Sequence, residues 1–264
     1  MSRARATPGL RLRGRWLALL ILVALPGLAA GQTMADQEER LIELHSLLLD
    51  LPALQAPGAL AGGQWDLSVE LVTIPVIDGA TGAKTQITAS DRTRLFPRPR
   101  ASVGLGLPGD FRAFLGGAYV PPVKIREVAT HDLSLEAGLA WVPGAFRAGL
   151  RVRGVYARST SPVTDPDTRD ELLTRLAGAE LSVGGHFMAG KVTLEPYAGA
   201  GVVTLRGRFE VTSDGNVLES DYTGPTWDAG LRLLAGGRWE VVGEVVGYPD
   251  RMVHPNFRVG YVFQ

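Results

Sequence analysis

From Trp65 to the end of the chain, side chains alternate between apolar and polar with a period of two. Asp66, Ser68 and Glu70 separate Trp65, Leu67, Val69 and Leu71. Runs of the same kind begin at Val103, Phe111, Leu133, Phe146, Ala179, Val192, Trp227, Trp239 and Phe257. Successive side chains of a strand point to opposite faces, so each run puts its apolar groups on one face and its polar groups on the other. Ten runs of about 10 residues predict ten strands, each long enough to cross a bilayer when tilted. The range open to the count is 8–12, because the boundaries around 98–107 and of the final pair are blurred.

The connections are sorted by length. Pro108-Gly109-Asp110, Pro143-Gly144-Ala145, Ala189-Gly190 and Gly236-Gly237 read as tight turns. Between them lie longer connections at 77–97, 121–132, 159–173, 206–224 and 248–255. All short turns then fall at one end of an up-and-down antiparallel sheet, an asymmetry that membrane barrels show and a sandwich has no reason to adopt. Asp214-Gly215-Asn216 reads as a hairpin tip, its strands extending past the membrane.

The two faces differ in what they carry. Trp65, Phe111, Trp141, Phe146, Phe187, Trp239 and Phe263 share the apolar parity and sit at strand ends beside short turns or a terminus. That placement is expected of aromatics at a membrane–water interface. Tyr119, Tyr156, Trp227 and Phe257 fall near the opposite ends of the same face. The other parity carries Asp66, Glu70, Arg100, Glu136, Arg147, Arg151, Arg153, Glu180, His186, Glu195, Asp228, Arg232, Glu240, Glu244 and Arg258. With lipid against the apolar face, these charges line a lumen, and the sheet has to close because an open edge in hydrocarbon leaves unpaired backbone groups. Signs match across neighbouring strands: Glu136 with Arg151, Arg153 and Glu180, and Arg232 with Glu240, Glu244 and Arg258. Such a lumen is largely filled, which favours a closed scaffold or a narrow path over a wide pore. The expected fold is therefore all-β, a closed antiparallel transmembrane barrel over 64–264.

The first 63 residues are different. Arg3, Arg5, Arg11, Arg13 and Arg15 precede the apolar run Trp16–Leu25, and small residues follow it. That order is the order of a cleaved export signal, expected at 1–31. The net charge of zero is the sum of this basic end and the remainder, in which 22 basic residues meet 27 acidic ones. A mature chain of about −5 is not a nucleic-acid binder. Residues 32–63 form a second unit. Ala35 to Leu51 has leucines at helical spacing, with Asp36 and Glu39 placed for a capping box, and Pro52 stops the run. Two placements are open for it: at the mouth of the barrel or in the periplasm, and inside the barrel as a plug.

The export signal, the segment Leu194-Glu195-Pro196-Tyr197-Ala198-Gly199-Ala200-Gly201 and the ending Val259-Gly260-Tyr261-Val262-Phe263 resemble those of bacterial outer-membrane β-barrel proteins. The resemblance covers about 65–264. It implies location in the outer membrane of a Gram-negative-type bacterium, contact with its lipids, and a C-terminal strand read by the barrel assembly machinery. The family places the aromatic last, whereas here Phe263 is followed by Gln264. The leucine-rich segment before the barrel is also similar to the hatch of fatty-acid transporters, which have more strands.

Little chemistry is encoded. The absence of cysteine excludes disulfides, thiol nucleophiles and Cys-ligated zinc. No nucleophile elbow, zinc-protease helix, phosphate loop or dinucleotide fingerprint is present. No cofactor and no metal is implied, and no small ligand is named. His131 beside Asp132 is the one place for a rim hydrolase or protease, since ten-strand barrel proteases of this superfamily use Asp and His near the outer rim. Asp165, Asp167, Asp170 and Glu171 crowd one outer connection and read as a solvated loop. The expected function is that of a non-enzymatic barrel, a structural or surface protein or narrow transporter. Alternatives are uptake of small apolar ligands past an N-terminal plug, and hydrolysis at His131 and Asp132.

Overall fold

The computed structural model describes residues 34–74, 94–125, 128–161, 167, 169–213 and 215–264. The export signal, most of the connection 77–97, Asp165, Asp214 and the side chain of Asp36 lie outside the described residues. One helix, α1 (Met34–Leu47), precedes eleven strand segments: β1 (Trp65–Ile74), β2 (Arg94–Gly106), β3 (Phe111–Ile125), β4 (Val128–Trp141), β5 (Phe146–Ser161), β6 (Asp170–Gly185), β7 (Phe187–Ala189), β8 (Val192–Val211), β9 (Asn216–Ala235), β10 (Trp239–Tyr248) and β11 (Met252–Phe263).

β1 pairs with β11, Trp65 opposite Phe263, and β6 pairs with β8, so the antiparallel sheet closes on itself. β7 resumes after a break at His186, whose backbone N–H turns to Ala145 O at 2.8 Å. It pairs with β8 through Phe187 and Leu194. β6 and β7 thus form one stave of a ten-strand barrel. The tight turns contain left-handed glycines; at Gly109 (φ 69°) and Gly144 (φ 65°) a side chain would oppose the reversal.

The opposite end departs from expectation. The stretches 121–132, 206–224 and 248–255 are mostly strand rather than long loops. β3 and β4 continue to 125 and from 128, β8 and β9 to 211 and from 216, and β10 and β11 to 248 and from 252. Period-two patterning inverts there: with no lipid outside, Arg206, Arg208 and Glu210 of β8 face outward, while Val203, Leu205 and Val211 turn inward and are buried. Ion pairs such as Arg206 with Asp221, 2.8 Å apart, decorate the outer face. His131, Asp132 and His254 accordingly lie in strands and not in loops.

The barrel is polarised inside out. Leu67, Leu135, Leu181 and Val241 stand exposed on the outer surface, while every arginine and carboxylate in the lumen set from Asp66 to Arg258 is buried and His186 is half-buried. A continuous apolar belt of this extent is stable against lipid and not against water. Between Phe146 and Tyr156 the belt runs ten residue steps of β5. That is about 34 Å of strand and, at a tilt of about 40°, about 26 Å of height, matching the apolar band of a transmembrane barrel. The fold is a closed antiparallel transmembrane barrel.

Candidate functional site

Residues 34–63 occupy the lumen. α1 lies at the hairpin end, where Ser46 and Thr174 share a hydrogen bond of 3.0 Å, Glu43 meets Arg251 at 2.6 Å and Arg40 donates to Asp250 O at 3.1 Å. The helix stops at Leu47, four residues short of the predicted end, and starts at Met34, which puts Asp36 inside its first turn instead of at the cap. It ends early because the next carbonyls are taken by the wall. Arg98 donates to Leu49 O and Asp50 O at 3.2 and 2.9 Å. Arg151 reaches Leu51 O and Pro52 O at 2.8 and 3.0 Å, and Arg100 reaches Pro52 O and Ala53 O at 3.1 and 3.0 Å. Lower down, Arg112 and Arg147 converge on Gly58 O at 2.9 and 3.3 Å. Buried backbone without regular structure must find partners elsewhere. Here guanidinium groups supply them in series. The segment leaves at the short-turn end, where Gly63 N donates to Gly104 O at 2.9 Å and Gly104 N to Gln64 O at 2.7 Å. A Cβ at Gly104 would lie 2.2 Å from Ala61 O, so the wall has to be glycine there.

The same arginines bind one another's counter-charges. Glu70 bridges Arg98 and Arg100, Glu136 bridges Arg100 and Arg151, and Glu180 lies within 3.5 Å of Arg151 and 3.4 Å of Arg153. A second series runs from Arg147 through Glu195, Arg232 and Glu240 to Arg258 and Asp66. Glu244 does not pair with Arg232; it accepts from Tyr197 Oη and Leu54 N, both at 2.7 Å. Asp228 is buried among them and makes no ion pair among the described residues. Charges so removed from water hold position only while paired, and removing one partner costs about 3–5 kcal/mol. Between the α1 end and this network the lumen is apolar: Leu47, Leu49 and Leu51 pack on Val120, Val155, Leu176, Val203, Leu205 and Tyr248.

Two titratable groups of the N-terminal segment are shifted. Burial would raise the Asp50 carboxyl, but Arg153 and the hydroxyl of Tyr248 outweigh it and hold the group below the usual carboxylate range. Burial lowers His45 to about 4, so it is neutral at pH 7.

The aromatics Trp65, Phe111, Trp141, Phe146, Phe187 and Trp239 point outward at the short-turn end, and Phe263 stacks on Trp65 at 4.3 Å. His131 and Asp132 point to opposite faces of β4. His131 lies edge-on to Tyr119 at 5.6 Å outside, and Asp132 binds Arg98 at 2.8 Å inside, so the rim dyad does not assemble. His186 Nδ1 sits between Arg147 and Glu195, at 2.7 and 2.8 Å. Among the described residues no group of His, Asp and Glu stands together to hold a metal ion. The sequence reading missed Arg98, Arg112, Asp50, Tyr197 and Tyr248 as lumenal groups, and it gave Asp132 a rim role instead of its ion pair with Arg98. Arg98 shares the parity of Arg100 two residues on. The apolar residues Val120, Val155, Leu176, Val203 and Leu205 on the lumenal parity signalled an apolar occupant.

No protein-family model and no curated protein matches the chain. Among solved structures it is similar to the beta domain of the Bordetella autotransporter BrkA, with 14% identity over 77% of this chain and 99% of that one and a TM-score of 0.43. It is also similar to the translocator domain of the autotransporter NalP from Neisseria meningitidis (14%, 87% and 95%, TM-score 0.41). A third is the P. putida toluene transporter TodX (14%, 80% and 70%, TM-score 0.34). These matched structures are bacterial outer-membrane β-barrel proteins.

Proposed function

We propose that this protein is a non-enzymatic barrel of a bacterial outer membrane, exported by a cleaved signal at 1–31, and that it is a narrow path closed by its own residues 34–63. The observation that carries the reading is the series of arginines holding the carbonyls of Leu49 to Gly58. Leu47, Leu49 and Leu51 also pack on the wall. Arg98, Arg100, Arg147 and Arg151 have carboxylate partners in the wall as well, so these four remain compensated when the segment leaves. The short-turn end, with its ring of seven aromatics, is the periplasmic side; the hairpin end faces out. The terminal strand β11 is the segment offered to the assembly machinery.

Once the segment has left, the stretch of lumen it covered would favour a small apolar solute over an ion, because Val120, Val155, Leu176, Val203 and Leu205 belong to its wall. The test is conductance in planar bilayers. The full chain is expected to give rare, brief openings, and a variant lacking 34–60 steady ones. Absence of openings from the deleted but folded barrel, checked by heat-dependent gel mobility, overturns the conduit.

A further inference from the structure

The outer surface just above the apolar belt carries a cluster of arginines. On β6, Arg175 lies directly opposite Arg206 of β8 and next to Tyr156 of β5. One step further out, Arg158 of β5 and Arg208 of β8 flank Leu173. Opposite residues on paired strands have Cβ atoms about 5 Å apart and diagonal ones about 7 Å, so Arg206, Arg158 and Arg208 all surround Arg175. Three of the four have acidic partners: Arg158 with Glu171, Arg206 with Asp221 at 2.8 Å and Arg208 with Glu210 at 3.4 Å. Glu219 is the remaining acid nearby, opposite Arg208, and His131 lies beside Arg158. Arg175, exposed at the centre, has no ion pair among the described residues. A like-charge pair directly across a ladder is destabilising unless an anion joins it.

Height identifies the anion. Tyr156 and Trp227 mark the outer edge of the belt, and the line between them crosses the ladder on the belt side of Arg175 and Arg206. Guanidinium groups there point away from the barrel at the level of lipid headgroups, and their stems can bend towards it. Guanidinium forks match phosphate oxygens bidentately. We propose that Arg158, Arg175, Arg206 and Arg208 form a recognition site for the phosphate of an anionic lipid in the leaflet around the hairpin end. This rests on the membrane reading of the fold and is independent of the closed path.

The test uses the full mature chain in uncharged detergent, with lipid retention read by native mass spectrometry. Diphosphorylated lipid A is the probe, beside dephosphorylated lipid A and inorganic phosphate. Wild type is expected to retain the phosphorylated lipid over its dephosphorylated form. Retention should fall at least about tenfold in Arg175→Gln/Arg206→Gln, which removes both facing guanidinium groups and their charge-assisted contacts. It should not change in Arg238→Gln, an exposed arginine at the short-turn end. Equal retention of the two lipid forms by wild type overturns the proposal without reference to any variant. So does retention in a folded double variant within twofold of wild type, or equal loss in Arg238→Gln. Displacement of the lipid by equimolar inorganic phosphate overturns the lipid as the source of the anion.

Discussion

Asp50 and Arg153 meet in a two-pronged ion pair inside the barrel, Nε to Oδ1 at 2.8 Å and Nη2 to Oδ2 at 2.6 Å. One partner belongs to the N-terminal segment and the other to β5, so this contact ties occupant to wall. Tyr248 Oη adds a third bond to Asp50 at 2.7 Å. Arg153→Met leaves a buried carboxylate without its cation and is expected to weaken docking of the segment by about 3–5 kcal/mol. Single-channel recording should show a raised open fraction. Adding Asp50→Asn should return it most of the way to wild type, since the stranded charge is gone. An additive double variant counts against coupling through this pair.

Docking should weaken with acid. His45 is lowered from 6.5 to about 4 in the docked state, so a released segment takes up a proton that the docked one refuses. The stability this neutral ring contributes is complete above 6.5 and is lost as pH falls towards 4. Asp50 acts in the same direction lower down, because its depressed carboxyl favours docking above its ordinary 3.8 and loses that advantage below it. Release of α1, read by the mobility of a spin label at Glu39→Cys, is therefore expected to rise from pH 7 to pH 4.5, and His45→Gln should flatten the profile in that window. A profile unchanged by His45→Gln assigns the effect elsewhere.

The path of the segment fixes a topology. It enters the lumen at the hairpin end, where Arg40 and Glu43 contact β9 and the turn after β10, and it exits beside Gly104 and Gln64 at the short-turn end. Residue 39 is exposed at the hairpin mouth and Arg238 at the other end. The chain contains no cysteine, so each substitution creates a unique label. On intact cells, Glu39→Cys should react with a membrane-impermeant maleimide. Arg238→Cys should react only after the outer membrane is permeabilised. The reverse pattern would invert the barrel.

Much of this architecture was legible because lipid and lumen impose opposite demands on alternate residues. Leu67 and Glu70, or Leu150 and Arg151, could be assigned to faces from parity alone. The turns at Gly109 and Gly144 were legible for a local reason, the left-handed backbone. Beyond the belt the rule inverts, because the outer face meets water and the inner face meets the N-terminal segment, so a search for apolar residues facing outward does not find these strand ends. Asp132 was therefore placed in a loop, although it is a strand residue bound to Arg98. The lumenal site was half legible. Its arginines and carboxylates share one parity, but their main partners are backbone carbonyls, which every residue has and no sequence pattern marks. Only Pro52 and Pro57, which break regular structure, announced a stretch of backbone in need of outside donors.

The helix and the lower segment are held by different means, and they should separate by mutation. On β8, Gly207 faces inward beneath α1, and a Cβ there would lie 2.3 Å from Ile42 Cγ2 and 3.0 Å from Ser46 Oγ. The isoleucine is stiff about χ1 and cannot swing its methyl aside cheaply. Gly207→Ala is expected to loosen α1 by about 1–3 kcal/mol, the usual cost of overpacking. Limited trypsin digestion should then cut at Arg40 faster than in wild type. Ile42→Ala removes the clashing methyl and should restore protection in the double variant. Openings should stay rare throughout, because Arg98, Arg100 and Arg151 hold Leu49 to Ala53 without help from the helix. If Gly207→Ala alone opens the path fully, closure depends on α1 and not on the arginine series.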